Sequence, residues 1–291
     1  MCYEHSWSPS RIANLVLLMF LFADSAGAQT SSPGDALEDL YKIAAAYEVE
    51  IVAIDPQFPV ETTGGKINGK KVGRRTIEAY ADLFASEFSI YPPGLVKRTR
   101  IKRFVFCRNL THADMRLGGL PDYAHDTIYL NIGYGAYLNI THGANMNGYL
   151  RRSIHHEFFH VIDYYDDGAV YRDRAWELLN PAKFSYGNGG RSAQHIKNTL
   201  VLTEKYPGFL NHYSTTGVEE DKAEIFSNMI IRPDYIDVRC KTDPVVRAKV
   251  RQMKSLTNHF CHQFDKRFWE NVTRQNRSKK RVAEFDAANP R

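Results

Sequence analysis

The chain has 291 residues, of which 43% are hydrophobic and 24% charged, with a formal net charge of +5. These values describe an ordinary globular protein with a sizeable core, and 17 Tyr with 16 Phe argue against global disorder. The positive balance is mild and much of it sits at the C-terminus, so no nucleic-acid partner is expected.

Residues 1–28 read as a signal peptide. Arg11 precedes an uncharged run, residues 14–23 (NLVLLMFLFA), and Ala26-Gly27-Ala28 supplies the small-x-small pattern of a cleavage site. The run is about half of the roughly 20 residues that a membrane-spanning helix needs. The expectation is secretion, extracellular or periplasmic, with cleavage near Ala28 and no stable membrane insertion; an uncleaved anchor is the alternative. Cleavage removes Glu4, Arg11 and Asp24 and moves the net charge to about +6. Cys2 leaves with the segment. Cys107, Cys240 and Cys261 remain, an odd number that excludes full intrachain pairing, although Cys240 with Cys261 is a possible bridge. None has CxxC spacing, which argues against a cysteine zinc site. Asn109, Asn139, Asn271 and Asn276 each open an N-glycosylation sequon, relevant only in a eukaryotic host.

Residues 29–265 are read as one α+β domain and 266–291 as a basic C-terminal tail. Leu37, Leu40, Ile43 and Ala44 recur at helical spacing in a helix from Ala36 to about Tyr47. Val49–Ile54 reads as a strand, 63–73 as a glycine-rich loop and Arg74–Phe88 as a second helix. Ile101–Cys107 and Thr127–Ile132 read as strands. The strongest helical pattern spans Asn147–Tyr165, and Gly168 suits its C-terminal cap. A Pro/Gly/Asn-rich loop at 180–192 separates it from a helix over Glu219–Ile231, stopped by Pro233. Another helix runs from Pro244 to about Lys266.

The chemistry concentrates in His156-Glu157-Phe158-Phe159-His160. Helical residues at i and i+4 lie about 40° apart around the axis, so both imidazoles project from one face. That spacing lets two histidines share one tetrahedral zinc. Glu157 falls about 100° round from His156, beside the metal, where it can take a proton from a water. Phe158 and Phe159 point away and can anchor the helix in a core. His155 is expected to be structural or half-exposed; Asp163 fits either support of His160 or a surface role.

A catalytic zinc site takes three protein ligands and keeps one position open. No Gly and His follow at the HExxHxxGxxH positions, so the third ligand comes from elsewhere. Glu220 and Glu224 share one helical face at i and i+4. Glu220 is assigned as the ligand and Glu224 as the acceptor of a ligand histidine's free ring N–H. Ala223 is small enough to let two helices approach closely. Glu219, with Ala223 at i+4, is the weaker candidate. Tyr213, seven residues before Glu220, can supply a phenol to an oxyanion or simply pack.

HExxH with a distant Glu-Asp-x-Ala-Glu helix resembles the gluzincin metallopeptidases. It is most similar to a group of zinc-binding metallopeptidases from secreted bacterial and eukaryotic proteins that shares features with the catalytic domain of anthrax lethal factor. The resemblance runs from about Thr127 to Ile231 and takes in Trp176–Pro181, Phe184–Gly187 and the Tyr213 segment. In the lethal-factor group a tyrosine stands seven residues before the ligand glutamate, as Tyr213 does. Residues 29–126 match no motif.

The resemblance implies a zincin-like domain: a small twisted sheet with the active-site helix, followed by a mostly helical half. The expected sheet edge for an extended peptide is the Thr127–Ile132 strand. The implied activity is that of a zinc peptidase, an endopeptidase rather than an exopeptidase. Zn2+ is expected on His156, His160 and Glu220, with Glu157 as general base. The alternatives are a zinc-binding pseudopeptidase acting as a binding protein and a metal-free protein with an accidental motif. Substrate and oligomeric state stay open.

Overall fold

The strand expected at Ile101–Cys107 alternates its apolar side chains between two faces, and that alternation divides the protein into layers. The computed structural model describes residues 33–133, 146–168, 170–193 and 196–274. The chain runs through α1 (Pro33–Tyr47), β1 (Glu50–Val52), β2 (Val60–Thr62), β3 (Gly65–Lys70), α2 (Arg74–Phe88) and α3 (Pro93–Arg98). The sheet continues with β4 (Arg103–His112), β5 (Met115–Arg116), β6 (Gly119–Asp122) and β7 (Thr127–Asn131). The second half holds α4 (Met146–Asp166), α5 (Arg174–Glu177), α6 (Val218–Ile231), α7 (Pro233–Thr242), α8 (Pro244–Phe260) and α9 (Lys266–Arg274).

The sheet is mixed, with the order β2-β3-β4-β7-β6; β1 and β5 also pair with β4. β4 runs parallel to β1 and β7, whereas β3 is antiparallel to β4 and β6 to β7. Phe104 and Phe106 of β4, with Ile128 and Leu130 of β7, join the large core shared with the helices. Val105, Cys107 and Tyr129 turn to a smaller cluster with Ile67 and Leu110. Phe84 and Phe88 of α2 meet Phe104 at 5.1 and 4.9 Å between ring centroids, which seats α2 on the sheet.

Several expectations change. Residues 65–70 form β3 rather than loop, because pairing with β4 outweighs the poor strand propensity of glycine. β7 is not an edge strand: β4 and β6 flank it, and β6 is the edge. Gly119 and Pro121 hide β6 in the sequence, and Pro121 is tolerated at an edge. Pro233 ends α6 by opening α7, as the first residue of that helix. The helix expected to reach Lys266 breaks at Cys261, and residues 266–274 form α9 instead of starting a tail. Phe268, Trp269 and Val272 are buried there. Cys240 and Cys261 are separate thiols. Residues 1–28, Asn139, Asn276 and the tail from 275 onward lie outside the described residues. Among the described residues, no helix is long and apolar enough to cross a membrane.

Candidate metal centre

Two helices bring the site together, and apolar packing fixes both. On α4, Phe158 packs on Phe88 and Tyr91 with ring centroids 4.9 and 4.6 Å away. Phe159 meets Phe226 of α6 at 5.0 Å. Both rings are fully buried, each stabilising the arrangement by about 1.5–3 kcal/mol. Phe158 and Phe159 therefore anchor the helix and turn His156, Glu157 and His160 toward a cleft between the sheet and the loops of the second half. Ala223, fully buried, stands on α6 where it packs against α4.

Nε2 of His156 lies 3.1 Å from Nε2 of His160 and 3.1 Å from Oε2 of Glu220. Nε2 of His160 is 3.7 Å from the same carboxylate oxygen. Among the described residues these three form the group able to hold a metal ion. Ligand atoms held about 2.0–2.1 Å from a tetrahedral zinc lie roughly 3.3 Å apart, so the spacing and the N, N, O donor set fit zinc. Burial, followed by the charge of Arg152, holds His156 down at about 3, the neutral form that ligation requires. Burial works against ionisation of Glu220, but its hydrogen bonding with the His156 and His160 rings holds it well below the carboxylate range. For His160, burial opposes the charge, yet Glu220 raises its affinity for a proton.

Glu157 is buried in the cleft wall beside β6, and burial pushes its carboxyl up to about 7. A Cβ on Gly119 would stand 2.4 Å from Cγ of Glu157, so only glycine lets the edge strand pass this close. Oε1 of Glu224 lies 3.1 Å from Nδ1 of His156. The Glu224 carboxylate also accepts from Asn211 Nδ2 at 2.7 Å and pairs with Arg152. Tyr213 opens a single 3-10 turn, Tyr213–Thr215, and its hydroxyl donates to Oε1 of Glu220 at 2.8 Å. Glu219 is buried in the cleft wall but is not part of the metal group.

At the edges of the site, His155 takes the structural one of its two expected roles, and Asp163 takes neither of its own. His155 is fully buried, bonded to Tyr91 at 2.7 Å and to Glu87 at 2.9 Å. Asp163 is buried and pairs with Lys222 at 2.5 Å rather than bonding His160, whose Nδ1 has no hydrogen-bond partner among the described residues.

The glycine-rich loop read at 180–192 forms a strap over the site, a path that the sequence did not disclose. The amides of Gly187 and Gly189 donate to the carbonyls of Thr215 and Thr216. A Cβ on Gly190 would come within 2.3 Å of both Glu220 Oε1 and the Tyr213 hydroxyl. Beneath the strap, Asp221 accepts from Trp176 Nε1 at 2.8 Å and from the Tyr186 hydroxyl at 2.6 Å, and pairs with Lys249 of α8 at 2.7 Å. This network links the 176–187 segment to the first turn of α6.

No protein-family profile matches the chain, and no curated protein does. A solved structure from Bacteroides caccae, described as a "putative zinc-binding metallo-peptidase", aligns with 13% identity and a TM-score of 0.48. The alignment covers 86% of this chain and 97% of that one.

Proposed function

We propose that the protein is a zinc-dependent peptidase, with zinc held by His156, His160 and Glu220. The observation that carries this reading is the convergence of two imidazole nitrogens and one carboxylate oxygen at the spacing a tetrahedral metal requires. Zinc bound there supplies Lewis acidity, which polarises a carbonyl and acidifies water. Glu157, buried beside that group, receives the proton of the attacking water and hands it to the departing amine. A carboxyl titrating near neutrality suits both halves of that transfer. The Tyr213 hydroxyl donates a hydrogen bond to the oxygen that gains charge as the carbonyl is attacked. Among the described residues β6 pairs with β7 alone, and its other side, beside Glu157, offers peptide groups to an extended chain, which favours internal cleavage of a peptide.

The reading includes secretion after removal of residues 1–28, and a peptide or protein substrate. The competing reading is a zinc-binding pseudopeptidase; the presence of both Glu157 and Tyr213 at the metal group favours the enzyme. The test is a peptide-library cleavage screen of wild type and Glu157→Gln, with zinc content measured on both. The variant is expected to keep its zinc and to lose about 10²–10⁴-fold in rate. Full activity in zinc-loaded Glu157→Gln overturns the mechanism. Zinc binding without cleavage by wild type favours the pseudopeptidase.

A further inference from the structure

We propose that Arg152 is a positioning residue of this centre, holding Glu224 against His156 and the Tyr213 ring against the metal group; the inference rests on the zinc reading above. Arg152 stands on α4 four residues before His156, so the two side chains share one face. Its side chain is only 11% exposed. One guanidinium nitrogen pairs with Oε1 of Glu224 and lies 3.1 Å from Nδ1 of His156. Its Cζ stands 5.7 Å from the centroid of the Tyr213 ring. One side chain thus touches the support of a ligand and the phenol bonded to another ligand.

The chemistry of the donors decides what the contact does. Arginine donates only and keeps its charge. If Nδ1 of His156 accepts from Arg152, the ring proton must sit on Nε2, and Nε2 cannot ligate. If Nδ1–H donates to Glu224, Nε2 is free for the metal. Glu224 is fully buried, and an ionised carboxylate there needs a counter-charge. Arg152 provides it and so keeps Glu224 the stronger acceptor for Nδ1–H. The planar guanidinium also lies within cation–π range of the phenol, whose hydroxyl reaches Glu220. The single side chain therefore sets the His156 tautomer through Glu224 and the place of the phenol directly.

The test measures zinc affinity by chelator competition, and kcat and KM separately, on the full chain. The variants are Arg152→Met, Arg152→Lys, Glu224→Gln and the double Arg152→Met with Glu224→Gln. Arg152→Met is expected to weaken zinc binding roughly 10–100-fold, as removal of outer partners of metal ligands does. Arg152→Lys keeps the charge and recovers most of the affinity. Its kcat stays low at unchanged KM, because a compact ammonium does not reproduce the planar guanidinium's contact with the phenol. The double variant is expected to bind zinc no worse than Glu224→Gln alone, since Arg152 acts through Glu224. It removes both buried charges, so it carries the test if Arg152→Met alone does not fold. Affinity in folded Arg152→Met within about twofold of wild type, or losses that add in the double variant, overturns the positioning role. Those results leave the zinc reading standing. A wild-type chain that takes up no zinc overturns both.

Discussion

Oε2 of Glu220 on α6 lies 3.1 Å from Nε2 of His156 on α4, although 64 positions separate the two residues in the chain. Apolar packing, with Phe159 against Phe226 at 5.0 Å, holds the two helices at that distance. A cation held there would turn mutual crowding of buried polar groups into coordination.

Glu220→Gln keeps the shape of the ligand and removes its charge. Zinc affinity is expected to fall at least about 100-fold, the upper end of what loss of an outer partner costs. Zinc in excess should stabilise the folded wild type by about 2.7 kcal/mol at one hundred times Kd, and so raise its melting temperature. The same addition, followed by calorimetry, should leave Glu220→Gln almost unmoved. An equal shift in both chains would remove Glu220 from the ligand set.

Tyr213→Phe deletes one hydroxyl that donates to Glu220 in the absence of substrate. If that hydroxyl turns to the substrate oxygen during reaction, kcat should drop about 10²–10³-fold while KM and zinc content hold. Steady-state kinetics on a cleaved library peptide decides this. An unchanged kcat would reduce Tyr213 to a packing residue.

Gly190 and Gly119 approach different parts of the centre, so their alanine variants should fail differently. A Cβ at 190 presses on Glu220 and Tyr213, whereas one at 119 presses on Glu157. Gly190→Ala is expected to lower zinc affinity. Gly119→Ala should keep zinc and lose turnover. Metal analysis and kinetics on the same preparations separate the two.

Asp243 caps α8 and lies away from the metal. Its carboxylate accepts from the amides of Val245, Val246 and Gly208 and from Arg239. Burial alone would raise its affinity for a proton, but these hydrogen bonds hold the carboxyl below its ordinary 3.8. A depressed value means stability that is present at neutral pH and lost as pH falls through and below the ordinary carboxylate range. Asp243→Asn keeps a capping oxygen but removes the charge from these hydrogen bonds, and should cost about 1 kcal/mol at pH 7. It should also flatten the loss of stability below about pH 4 seen by denaturant titration. Parallel pH profiles in the two proteins would contradict this account.

Much of the helical half was legible because its signals are local. In that half α4 and α6 were placed to within a residue or so, and before it α2 was read over Arg74–Phe88. His156 and His160 share a face by helical periodicity alone, and so do Glu220 and Glu224. Strands β3 and β6 were not legible, because glycines and Pro121 read as breaks and only their partners β4 and β7 make them strands. α9 was hidden for a related reason. Its lysine and arginines suggested a solvated tail, while Trp269 finds its burial against Phe226 of α6, a segment that only folding brings near.

The sequence by itself determined which residue types could hold a metal and that two pairs of them must project together, since a helix turns by about 100° per residue wherever it lies. Only the tertiary structure decided that the pairs face each other, that β6 rather than β7 is the sheet edge, and that Arg152 stands between Glu224 and Tyr213. Those relationships depend on the packing of Phe159 on Phe226 and of the sheet on α2, contacts between distant segments that no local periodicity encodes.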